Sequence, residues 1–188
     1  KKPGYEADKW DVMLVEVDAS GKWTGKPRNL TADVDISAED LVWTGNDTLT
    51  ITLADKGSTV LGTLSLATGK LEKSGEGMIT GVSASSDGKV IAFAQSRMTR
   101  PNEMFARQGA DKPVQLTQAN EKLLAQLDLP APESVTVKGA SGTPMQMWIL
   151  KPPGFDATKK YPVAYLVHGG PQGAWEDGWS FRWCPSLW

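Results

Sequence analysis

Apolar and polar positions alternate in short runs over residues 1 to about 130, and few windows there place apolar residues at helical spacing, so this stretch is predicted to be β. Residues 11–18 read as a strand ending in the turn Ala19-Ser20-Gly21-Lys22, from which residues 23–30 return. Residues 40–43, 48–53 and 59–66 follow as strands in meander order, separated by Gly45-Asn46-Asp47 and Asp55-Lys56-Gly57. A repeat runs through them. Thr24-Gly25-Lys26-Pro27-Arg28-Asn29-Leu30-Thr31, Thr68-Gly69-Lys70-Leu71 and Asp111-Lys112-Pro113-Val114-Gln115-Leu116-Thr117 are similar, with Leu30, Leu71 and Leu116 spaced 41 and 45 residues apart. A period of about 40–45 residues with four strands per unit is that of a β-propeller blade. A β-sandwich with regularly spaced turns is the alternative. The chain would then hold two full blades and the outer part of another, a partial propeller whose open edges need cover from the rest of a parent protein or from another copy.

The pattern changes after Leu116. Leucines at positions 123, 124 and 127 make residues 120–127 a short helical candidate, stopped by Pro130 and Pro132. Residues 134–138 and 145–150 then read as a hairpin around Ala140-Ser141-Gly142-Thr143. The near-continuous apolar run 161–167 has the character of a strand buried on both faces of an α/β sheet. The expected organisation is therefore a β part over 1–128 and the start of an α/β domain over 129–188.

Composition narrows the classes. The 188 residues carry 20 Lys+Arg and 22 Asp+Glu, a net charge of −2, which gives no long positive field for nucleic acid. Apolar runs of about five residues are far short of the roughly 20 that a spanning helix needs, so no membrane partner is expected. The single cysteine, Cys184, excludes an internal disulfide and a cysteine-based zinc cluster, and the single histidine, His168, removes most His-rich metal sites. No metal site is expected.

The most specific chemistry lies at Val167-His168-Gly169-Gly170-Pro171. Two glycines directly after an apolar strand can turn backbone N–H groups toward a ligand with no Cβ in the way. That is the requirement of an oxyanion hole, where fixed donors meet the negative charge of a tetrahedral intermediate. A tight strand-to-loop turn in another kind of α/β domain is the alternative.

Pro152-Pro153-Gly154-Phe155, Lys160-Tyr161-Pro162, His168-Gly169-Gly170-Pro171-Gln172-Gly173 and the Trp-rich tail resemble the opening of the catalytic domain of the prolyl oligopeptidase family of serine peptidases, in its acylaminoacyl-peptidase and dipeptidyl-peptidase-5-like branch. Residues 3–10, Ser85-Ser86-Asp87-Gly88-Lys89 and Leu116-Thr117 also resemble the last blades of that family's propeller. The resemblance implies a mainly β chain, a partial propeller followed by the first strands of an α/β-hydrolase domain. It also implies a peptide substrate, no cofactor, and a propeller that restricts access to short peptides. Gly170 would supply an oxyanion-binding N–H, with Gly169 and His168 shaping its loop. Related dipeptidyl peptidases hold the substrate's amino terminus with propeller carboxylates, which offers Glu103 a substrate-binding role; taken by itself, Glu103 reads as a solvated loop charge. Similar bacterial enzymes point to the periplasm, with the cytoplasm as the other compartment.

The family's nucleophile sits in a Gly-x-Ser-x-Gly elbow followed by Asp and His, and this sequence has no such elbow. With its one histidine already in the glycine loop, no imidazole remains to activate a serine. The chain is thus expected to be an inactive fragment of a larger peptidase whose missing part supplies the triad; a non-catalytic propeller that binds peptides or proteins is the competing reading. Trp175, Trp179, Trp183 and Trp188 suit core packing or a peptide pocket, and Trp179 is the candidate for the latter. Cys184 reads as an inert thiol, Met98 and Met104 as packing, and Lys159-Lys160 as solvated surface. The sequons at Asn29 and Asn46 are assigned no role.

Overall fold

The computed structural model describes residues 3–4, 8–170 and 172–187, and the strands within them follow one another as spatial neighbours. Met13–Leu14 (β1) and Arg28–Asn29 (β2) pair antiparallel, and Val17 bridges Trp23. The strand expected over 11–18 shrinks to these contacts because Asp18 draws the chain into a turn, its carboxylate accepting from the Ser20 and Lys22 amides. Ala38–Trp43 (β3), Thr48–Asp55 (β4), Ser58–Ser65 (β5) and Leu71–Ser74 (β6) form an antiparallel meander. Met78–Ala84 (β7), Val90–Arg97 (β8), Arg100–Gln108 (β9) and Val114–Gln115 (β10) form a second. One parallel contact, Thr59 against Met78, joins the meanders into an eight-stranded sheet. The chain is mainly β, as the alternation implied. The sequence repeat has a counterpart, since Leu30, Leu71 and Leu116 each stand on or beside the last strand of a unit, at β2, β6 and β10.

Side-chain parity explains how the units stack. On β5, Val60 and Leu64 join Val12, Leu30, Leu49, Ile51 and Leu53, whereas Leu61 faces the other way, toward Ile79, Ile91, Phe93 and Phe105. The first meander is therefore packed on both faces, and each fully buried aliphatic or Phe side chain contributes about 1.5–3 kcal/mol by leaving water. Gly62 makes the fit possible, because a Cβ there would stand 2.7 Å from Leu53 Cδ1 and 2.8 Å from Leu71 Cδ1.

Past the sheet, the helix expected over 120–127 forms as Glu121–Leu124 (α1), one turn long. Glu133–Lys138 (β11) and Pro144–Ile149 (β12) make the expected hairpin around a 3-10 turn at Ala140–Gly142. The buried strand expected over 161–167 does not form. Those residues are extended but unpaired, and Val163, Tyr165 and Val167 are 89%, 79% and 69% exposed. A strand covered on both faces needs strands beside it and helices over it, and among the described residues none lies there.

Candidate functional site

The glycine loop begins at His168, whose ring Nδ1 lies 2.9 Å from Gly169 O; since a carbonyl only accepts, the bond places a proton on Nδ1. Gly170 has φ +143°, and a Cβ there would stand 2.9 Å from the Gln172 backbone nitrogen, so only glycine fits without strain. A Cβ on Gly173 would approach Gly169 O at 3.6 Å, so Gly173 lies back beside Gly169. Residues 168–170 and 172–173 are all exposed. Donors in that position face water, and the strengthening that a dry site gives to an oxyanion contact is absent in this arrangement. Pro171 and Trp188 lie outside the described residues.

Glu103 is in a different environment from the loop charge that its sequence context suggested. It stands on β9, 3% exposed. Its carboxylate accepts from the Thr117 hydroxyl, from the Ala119 N–H at 3.2 Å and from the Asn120 N–H at 3.2 Å. The Thr117 bond above all, with the two amides, holds its pKa below the usual carboxylate range against the opposing effect of burial. The carboxylate thus fastens β9 to the segment that leads into α1.

Trp179 is half-buried and meets Phe181 edge to face, with ring centroids 5.7 Å apart. Cys184 is a half-buried free thiol. Met98 is buried as expected, at 3%, whereas Met104 is 41% exposed and packs little. Among the described residues, no hydrogen bond, ion pair or ring contact joins Glu103, Trp179 and the 168–170 loop. A cleft of about 400 Å³ between the meanders, lined by Thr44, Thr50, Ser74, Lys89 and Arg107 among others, includes none of them.

Sequence reasoning missed Asp177, a buried carboxylate of the C-terminal part. It is 5% exposed, its Oδ1 accepts from the Met98 N–H at 3.0 Å, and its own N–H donates to Gly57 O at 2.7 Å. Arg97 Nη1 stands 3.7 Å from Asp177 Oδ2. The partners lie 79 or more residues earlier in the chain, and no local pattern around Glu176-Asp177-Gly178 announces them.

No protein-family model matches the chain. A stretch of 56 residues is 55% identical to dipeptidyl-peptidase 5 of Arthroderma otae and, equally, to that of Trichophyton equinum; it makes up 30% of this chain and 8% of those proteins. Among solved structures, the chain is similar in fold to an acylaminoacyl peptidase of Pyrococcus horikoshii, with a TM-score of 0.68 and 23% identity over 84% of this chain and 24% of that one. It is also similar to dipeptidyl peptidase 4 of Porphyromonas gingivalis, with a TM-score of 0.64 and 19% identity over 93% of this chain and 26% of the other.

Proposed function

From the premise that this chain is a relative, in part-length, of the prolyl oligopeptidase family in its dipeptidyl-peptidase 5 and acylaminoacyl-peptidase branch, we propose that it serves a serine peptidase acting on short peptides by acyl-enzyme chemistry. In this reading, β1 to β10 belong to successive blades of a propeller that limits which peptides enter. The division falls after residue 128, and residues 129–188 open the α/β-hydrolase domain. The run 161–167 takes its place as a covered strand only when neighbouring strands of that domain are beside it. Gly170 then presents its backbone N–H to the oxyanion, with Gly169 and His168 holding the loop. The observation that carries the reading is the backbone of Gly170, whose φ of +143° and Cβ clash require glycine where the family motif has its oxyanion loop. Glu103, already bonded to Thr117, Ala119 and Asn120, acts in this reading by holding the 117–120 turn.

The chemistry needs a nucleophile and base that these 188 residues do not include, since the sequence has no Gly-x-Ser-x-Gly and one histidine. The test is labelling by a fluorophosphonate, whose phosphorus an activated serine attacks with loss of fluoride to leave a phosphonylated enzyme. The 188-residue chain should stay unlabelled while the polypeptide of its source gene takes up one label per chain. A source gene that holds no Gly-x-Ser-x-Gly elbow followed by Asp and His would overturn the proposal in favour of a binding module.

A further inference from the structure

Immediately after the glycine loop, the chain enters a notch between two hairpin turns of the sheet. The β4–β5 turn contributes Gly57 and the β8–β9 turn contributes Met98. Residues 175–178 are held there from several sides. Trp148 on β12 donates its indole N–H to Trp175 O at 2.8 Å, Asp177 N–H donates to Gly57 O at 2.7 Å, and Asp177 Oδ1 takes the Met98 N–H at 3.0 Å. The fit leaves no room for side chains at either glycine. A Cβ on Gly57 would stand 2.9 Å from Trp148 Nε1 and 3.1 Å from Trp175 O, and one on Gly178 would stand 2.8 Å from Met78 Cγ.

A carboxylate this buried is costly unless its lone pairs are met, and here a backbone N–H and the Arg97 guanidinium face it. Asp177 thus joins both meanders to the C-terminal part, its backbone N–H reaching Gly57 on one and its carboxylate taking Met98 and facing Arg97 on the other. Only Ala174 separates this clamp from Gly173, which lies back beside Gly169. We infer that Asp177 is a positioning residue, which clamps residues 175–178 between the two turns and thereby fixes the backbone of residues 168–170 and 172–173 relative to the sheet. The inference rests on reading that loop as oxyanion-binding, but the clamp itself is tested without any peptidase activity.

The experiment is ¹⁵N NMR on the full chain and three variants. Asp177→Ala removes the acceptor, Asp177→Asn keeps an oxygen for the Met98 N–H, and Trp148→Phe releases Trp175 from the other side while leaving Asp177 in place. In the parent chain, the Gly169, Gly170 and Gly173 amides should show order parameters near the rigid value of about 0.85. Asp177→Ala should speed solvent exchange of the Trp148 indole proton at least tenfold and lower those order parameters below about 0.6. Asp177→Asn should restore the parent values. If Asp177→Ala does not fold, Trp148→Phe carries the test, and loop order should fall in it as well. Loop order unchanged in the variants that fold would overturn the inference, since the clamp would then fasten only itself. A loop already below about 0.6 in the parent chain would overturn it too. Failure of serine labelling in the source protein, with the loop response intact, would instead remove the peptidase reading alone.

Discussion

Glu103 accepts a hydrogen bond from the hydroxyl of Thr117, fourteen residues later in the chain, and so closes the sheet's last long strand onto the turn before α1. The bond gives the carboxylate a reason to remain charged at 3% exposure. Replacing Glu103 with Gln turns an amide N–H₂ toward at least one of the N–H donors it now satisfies, at a cost of about 1–3 kcal/mol. Denaturant unfolding of E103Q beside the parent chain measures it.

The same group makes stability depend on pH in a set direction. Its folded pKa is lowered, chiefly by the Thr117 bond, from an unfolded value of about 4.3. Its contribution is complete above the unfolded value and is lost as pH falls through the lowered folded one. The gap in urea midpoint between the parent chain and E103Q should thus be constant from about pH 6 to pH 5 and narrow below about pH 4.

Phe93 has no exposed surface and stacks on Phe105, with ring centroids 6.0 Å apart and planes 8° from parallel. Phe93→Ala leaves a cavity in the cluster that Leu61, Ile79 and Ile91 complete, and should destabilise the chain by about 3–5 kcal/mol. Calorimetry or a urea transition is sufficient to measure this.

Gly170→Val forces a β-branched side chain onto a backbone at φ +143°, so the chain's unfolding free energy should fall by about 1–3 kcal/mol. In the source peptidase, turnover should fall by roughly 10²–10³, because the strained backbone no longer aims its N–H. A variant as active as the parent would remove Gly170 from the reaction.

The exposed apolar residues of 161–167 should make the chain self-associate. An extended, unpaired segment bearing Val163, Tyr165 and Val167 is a template for pairing with another copy. Sedimentation velocity across a concentration series should show oligomers, and the triple change Val163→Lys, Tyr165→Lys, Val167→Lys should reduce them. A compact parent monomer at high concentration would contradict this.

Local chemistry made the β part legible. Alternation placed β4 and β5, Asp55-Lys56-Gly57 placed the turn between them, and the leucine spacing found the repeat. The 161–167 run shows the limit of such reading, because periodicity reports what a strand needs and not whether its neighbours are present. Glu103 and Asp177 were illegible for a related reason. Each is a charge whose environment is built from distant backbone N–H groups, and a backbone donor leaves no trace in residue identity. The glycine-only backbone at Gly170 was legible because that constraint is local and one residue type meets it, whereas its place in a reaction belongs to the proposed function.

The packing of the first meander on both of its faces has a consequence for how the molecule comes apart. Units stacked in a row are stabilised by nearest-neighbour interfaces, and the meander β3–β6 has two, against Val12 and Leu30 on one side and against Ile79 and Phe93 on the other. Fraying should therefore travel inward from the β1–β2 pair and from β10, with the β4–β5 amides the last to exchange with solvent. The centre of the row, away from the chain's ends, is where cooperativity resides.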